Sequence, residues 1–208
     1  MEYYLTILRA MGWDARAGDP FIFISEKDKK NIDRLLLSMG VGPESLIMGL
    51  SPGAKYGPAK RWPSERFAAI GDRAVEQWHA VVILMGSRDE MAICKEVSQA
   101  MSYEPINLCG RTTLGEAVGL LRRCRFFVTN DSGLMHVGAA LGVPMVAVFG
   151  STNPETTGPR SNKARIVRYP VDCSPCLKPE CPTDFRCMRS IEPEAVWEAL
   201  ADLRAEQE

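Results

Sequence analysis

From residue 46 to residue 150, short apolar runs alternate with stretches whose apolar residues recur every three or four positions. Runs of branched and aromatic residues predict strands buried on both faces, and the three-to-four spacing predicts helices with one buried side. The expected strands are Leu46–Leu50, Ala80–Met85, Ile106–Leu108, Phe126–Thr129 and Pro144–Phe149. Between them, helices are expected from Ser64 to about Trp78, from the loop Gly86-Ser87-Arg88-Asp89 to about Met101, from Thr113 through Leu121, and from Ser132 to Leu141. Thr113 and Glu116 stand at capping-box spacing, which fixes where the third of these begins. Strand and helix in strict alternation give an α/β chain, a parallel sheet with right-handed crossovers and flanking helices.

The ends follow a different pattern. Met1–Gly12 reads as a helix with Tyr4, Ile7, Leu8 and Met11 on one side, Phe21–Ile24 as a strand, and Ser25 with Asp28 as the cap of a helix ending near Gly40. After Thr152 the chain is loop-like. A short strand at Arg165–Tyr169, a cysteine-rich loop at 172–188 and a helix from Pro193 to about Glu206 complete it.

Composition narrows the function. A chain of 208 residues with 46% apolar content supports one sizeable core. Its formal charge of -1 argues against general binding to nucleic acid or to an anionic membrane. No apolar run approaches the roughly 20 residues of a membrane helix, and Met1-Glu2-Tyr3-Tyr4 lacks the layout of a secretory signal. A cytoplasmic protein is expected, with at most peripheral membrane contact.

Seven cysteines fit a reducing compartment. Cys94, Cys109 and Cys124 sit singly in apolar settings and read as small buried hydrophobes. Cys173, Cys176, Cys181 and Cys187 lie close together among prolines. Three readings stay open for them: a four-thiolate metal site, a redox-sensitive loop, or inert packing.

The richest stretch is 126–137, where the strand Phe126–Thr129 ends in Asn130-Asp131-Ser132-Gly133 just as a helix begins. Free N–H groups and the helix dipole make such a junction an anion site. Asp131 and Ser132 suit the cap position, Gly133 lets a ligand near the backbone, and His136 is expected to face the same mouth one turn later. Three loops, 51–63, 86–90 and 130–136, should open on one sheet edge, where open parallel sheets bind ligands. They offer Lys55, Lys60 and Arg61 to a phosphate, Glu90 to ribose-type hydroxyls and the Asp131 mouth to a diphosphate. The loop 110–113, with Thr112, could wall a base. Each has a plain alternative: a solvated loop for Lys60 and Arg61, simple capping for Asp131, a buried imidazole for His136, and a dipole-driven acid for Glu90. No P-loop, dinucleotide fingerprint or nucleophile elbow is present. What remains is a diphosphate site made of amides and lysine, with no metal or cofactor.

The segments Ser51–Pro63, Asn130–Val137 and Phe149–Pro154, with the cysteine cluster 172–188, resemble the ADP-heptose:lipopolysaccharide heptosyltransferases of glycosyltransferase family 9, most closely the heptosyltransferase II type. The resemblance implies a Rossmann-like domain, the C-terminal, donor-binding half of a two-lobed GT-B glycosyltransferase. It divides the chain into 1–44 (linker, the end of an N-terminal lobe and a leading helix), 45–192 (the nucleotide-sugar domain) and the helix 193–208. It implies that Lys60 and Asp131 are catalytic, that Lys60, Glu90, Thr112, Asp131, Ser132, Gly133 and His136 hold ADP-heptose or ADP, and that no cofactor takes part. The lipopolysaccharide core acceptor would be bound by the N-terminal lobe, at the cytoplasmic face of the inner membrane. That lobe would also supply the catalytic base, so the chain alone is expected to be inactive.

Overall fold

The structure, a computed structural model, describes residues 2–207, with side chains described from Tyr4 to Gln207. Met1 and Glu208, the outer bounds of the expected terminal segments, lie outside the described residues. Six strands form one wholly parallel sheet: β1 (Ile47–Ser51), β2 (Val81–Leu84), β3 (Ile106–Asn107), β4 (Phe126–Asn130), β5 (Met145–Phe149) and β6 (Ala164–Arg168). Their order is β3-β2-β1-β4-β5-β6. This is the doubly wound Rossmann-like arrangement, with its order reversing between β1 and β4. Loops leaving those two strands diverge to opposite faces and open a crevice at their carboxyl ends.

Side chains that alternate along each central strand enter two separate cores. Met48, Leu50, Phe126, Val128, Val146 and Val148 point to one face. There they meet Phe67, Ile70 and Ala74 of α3 (Ser64–Trp78), Val97 of α4 (Met91–Ala100), and Val196, Trp197, Leu200 and Leu203 of α9 (Pro193–Ala205). Ile47, Phe127, Met145 and Ala147 point to the other. They pack against Ile32 and Leu36 of α2 (Glu26–Ser38), Leu120 and Leu121 of α5 (Leu114–Arg123), and Met135 and Ala139 of α6 (Gly133–Ala140). Burial on both faces is why β1, β4 and β5 are apolar without alternation. The remaining helices are α1 (Glu2–Ala10), α7 (Pro154–Thr157) and α8 (Arg186–Arg189). No helix among the described residues is long and apolar enough to cross a membrane.

Local signals act where expected at two helix starts. Ser25 Oγ accepts the Asp28 N–H at 3.0 Å. Thr113 and Glu116 close a reciprocal capping box, with Glu116 Oε2 2.9 Å from the Thr113 amide. At α3 the cap position belongs to Pro63, and the Ser64 hydroxyl instead donates to Glu96 Oε2 at 2.9 Å. The expected strand Phe21–Ile24 does not form. These residues lie outside the sheet, with Phe21 73% and Phe23 87% exposed. A strand exists only where a neighbour pairs its amides and carbonyls, and this run meets neither edge of the sheet. Its two rings pack edge-on against each other at 5.3 Å.

Candidate functional site

At the switch point, the loop from Ser51 to Pro63 is anchored by the last residue of β4. Asn130 is fully buried; its Nδ2 donates to the carbonyl of Pro52 at 2.8 Å, and its Oδ1 accepts the Trp62 N–H at 3.0 Å. One amide side chain therefore ties down both ends of the loop. Trp62, also fully buried, donates its indole N–H to the carbonyl of Ile191 at 2.9 Å and packs edge-on against Phe67. From outside, the cysteine-rich segment braces the same loop. Tyr56 Oη donates to the Leu177 carbonyl at 2.7 Å, and the Ala59 N–H donates to the Pro179 carbonyl at 3.0 Å.

This bracing aims Lys60 inward. Its ammonium lies 2.7 Å from Asp131 Oδ2 and 4.8 Å from the centre of the Tyr56 ring. The side chains of Lys60 and Asp131 are 12% and 6% exposed, so the pair is shielded from screening by solvent. Asp131 does not cap α6 as its position in the sequence suggested, because its carboxylate is drawn sideways into this pair. The cap position is held by Ser132, whose side chain makes no capping bond. Its hydroxyl lies 3.1 Å from Thr129 Oγ1 instead. The leading N–H groups of α6 thus have no side-chain partner, and a Cβ added to Gly133 would meet no atom within 4 Å. The mouth of this helix is open to an anion.

Beside the mouth lies a cavity of about 430 Å³. All three loops expected to converge do so: Ser51 and Lys55 come from the first, Ser87 and Glu90 from the second, Ser132 and Gly133 from the third. Thr112 and Thr113 close one wall, and Leu114, Leu134 and Val137 give it an apolar side. Glu90 has two tasks. One oxygen, Oε2, accepts the N–H and the hydroxyl of Ser87 at 2.7 and 2.9 Å, closing a capping box. The carboxylate also lies across Gly53, where a Cβ would stand 2.1 Å from Glu90 Oε1. A side chain at position 53 would push the Glu90 carboxylate aside. His136 is exposed on α6, one helical turn after the mouth, and does not line this cavity. Sequence reasoning passed over Asn130, Thr152 and Thr157. A buried asparagine closing an apolar strand was the signal available for the first.

All seven cysteines are free, and Cys94, Cys109 and Cys124 are buried as expected. Burial pushes the Cys124 thiol up to about 12. Cys94 and Cys109 interact beneath the loop 86–90; the hydrogen bond between them raises the Cys94 pKa and lowers that of Cys109. Cys173, Cys176, Cys181 and Cys187 line one separate cavity of about 220 Å³. Among the described residues no three His, Cys, Asp or Glu side chains converge closely enough to hold a metal ion. Cys181 is lowered by hydrogen bonds from Thr183 and from nearby backbone amides, and Cys187 is raised, chiefly by burial.

The model of glycosyltransferase family 9 (heptosyltransferase) matches residues 10–185. The chain belongs to glycosyltransferase family 9. Within that family it is 43% identical to the lipooligosaccharide heptosyltransferase 2 of Haemophilus influenzae over 60% of this chain and 37% of that one. Solved members share the fold. The Escherichia coli ADP-heptose lps heptosyltransferase II superposes with a TM-score of 0.77 at 32% identity, over 95% of this chain and 57% of that one. A family 9 glycosyltransferase from Veillonella parvula superposes with a TM-score of 0.88 at 28% identity, over 99% and 59%. The chain spans about half the length, or less, of the curated heptosyltransferase 2 relatives it matches.

Proposed function

We propose that this chain is the donor-binding lobe of a family 9 heptosyltransferase that acts in assembly of the lipopolysaccharide inner core, on the cytoplasmic side of the membrane. The observation that carries this reading is the joining, at the switch point, of a nucleoside-sized cavity to an uncapped helix mouth beside the Lys60–Asp131 pair. Adenosine fits the cavity, with its ribose at Glu90 and its base against Thr112 and Leu114. The diphosphate takes the free amides of α6 and the Lys60 ammonium, and the heptose lies beyond Asp131.

Chemistry follows from that placement. When heptose leaves ADP, negative charge grows on the diphosphate, and donors fixed there stabilise the transition state more than the ground state. Lys60 and the Ser132–Gly133 amides fill this role. Inversion by direct attack needs a base for the acceptor hydroxyl. Both carboxylates described at this site are already engaged, Glu90 with Ser87 and Asp131 with Lys60. The resemblance to the heptosyltransferases implies that the base belongs to an acceptor-binding lobe, and the chain alone is expected to transfer little or no heptose.

Calorimetry with ADP, with and without magnesium, tests the binding half; no heat in either, from folded protein, refutes it. A heptose-transfer assay on truncated core acceptor tests the rest. Turnover by the chain alone at the level of a two-lobed enzyme would disprove the assignment of the base.

A further inference from the structure

We propose that Thr152 and Thr157 are positioning residues that hold Asp131 beside Lys60 and away from the mouth of α6, and so keep the helix amides open to a diphosphate. The inference rests on the donor-site reading above and adds to it the residues that prepare the phosphate subsite.

Three donors converge on one oxygen, Asp131 Oδ2. Lys60 Nζ stands at 2.7 Å, Thr152 Oγ1 at 2.7 Å and Thr157 Oγ1 at 3.3 Å. Asp131 and Thr152 are each only 6% exposed. An acid close to a helix N-terminus is drawn toward the unpaired N–H groups by the helix dipole. Here that movement would place a carboxylate in the space a diphosphate needs. Lysine alone is a poor restraint, because its flexible stem would follow the carboxylate. A threonine hydroxyl on a short, branched side chain does not follow.

The two hydroxyls reach Asp131 from a neighbouring part of the sheet edge. Thr152 comes three residues after β5, the strand next to β4. Thr157 sits in α7, whose start is fixed by Asn153 Oδ1 accepting the Glu155 N–H at 3.0 Å. The Thr157 proton is shared, since the Asn153 carbonyl lies 3.1 Å from the same hydroxyl. Thr152 is therefore the stronger restraint.

The test uses the whole chain, titrated with ADP and with adenosine, which lacks the phosphates. Thr152→Val removes the hydroxyl at nearly constant shape, and Thr152→Ser keeps it. Loss of one charge-assisted hydrogen bond corresponds to about a tenfold weaker grip on ADP. Thr152→Val should show that loss while adenosine binding is unchanged, Thr152→Ser should match the parent, and Thr152→Val should still weaken ADP binding in the Lys60→Ala background, where the threonine is the main restraint left on Asp131. Should Thr152→Val not fold, Thr157→Val carries the same comparison with a smaller loss. Equal weakening of ADP and adenosine, or no recovery with serine, reduces the threonine to a structural prop and overturns the proposal. If Lys60→Ala weakens ADP binding and neither valine variant does, this inference falls and the donor-site reading stands. If the parent chain binds no ADP, both fall.

Discussion

Asn130 Oδ1 accepts the backbone N–H of Trp62 at 3.0 Å, across 68 residues of chain, and the same side chain donates to the carbonyl of Pro52. Asn130→Leu keeps the volume and leaves both backbone groups buried without partners. Each such group costs about 1–3 kcal/mol. A chain of this size loses about 2–4 °C of melting temperature per kcal/mol. Thermal denaturation followed by circular dichroism should therefore show a drop of several degrees; an unchanged melting temperature would mean the loop is held by other contacts.

Lys60→Ala removes the cation paired with Asp131. ADP binding should weaken by about 1.5–3 kcal/mol, the range for a hydrogen bond to a charged group. Calorimetry at fixed ionic strength reads this directly. An affinity equal to that of the parent would take Lys60 out of the phosphate subsite.

Gly133→Ala separates binding from stability. The added methyl meets nothing within 4 Å in the chain itself, and alanine is favoured over glycine in a helix by about 0.5–1 kcal/mol. The variant should melt no lower than the parent and yet bind ADP more weakly, because the methyl enters the ligand's approach to the amides. Unweakened binding would place the diphosphate elsewhere.

The thiols should react in a set order. Cys181, with its pKa lowered, forms thiolate at lower pH than an ordinary cysteine, whereas Cys124 is pushed up to about 12 by full burial. Iodoacetamide at pH 8, mapped by peptide mass, should label Cys181 early and the buried Cys94 and Cys124 last. A raised pKa also means that the folded state holds the Cys124 proton more tightly than the unfolded chain, whose thiol titrates near 9.0. Its contribution to stability is complete below that value and is lost as pH rises from there toward about 12. Urea melts at pH 8 and pH 10 should show the decline, and Cys124→Ala should lessen it.

Much of this architecture is legible in the sequence because its signals are local. Apolar runs at β1, β4 and β5 and the capping box at Thr113 and Glu116 act through near neighbours, as does the strand-to-helix step at Ser132 and Gly133. The reading fails where a distant partner decides. Phe21–Ile24 has the composition of a strand and no neighbouring strand to pair with. Asp131 has a capping residue's position, yet it turns to Lys60, 71 residues earlier. The role of Asn130 is likewise invisible until Pro52 and Trp62 are known to flank it in space.

Tyr56 and Ala59 are tied to the carbonyls of Leu177 and Pro179, so an irregular stretch outside the nucleotide cavity shares the stiffness of the loop that carries Lys60. Variation between 172 and 182 would then shift the loop that aims Lys60 without changing a residue of the proposed donor site. Libraries built to shift donor preference have, in that outlying stretch, a second region to diversify.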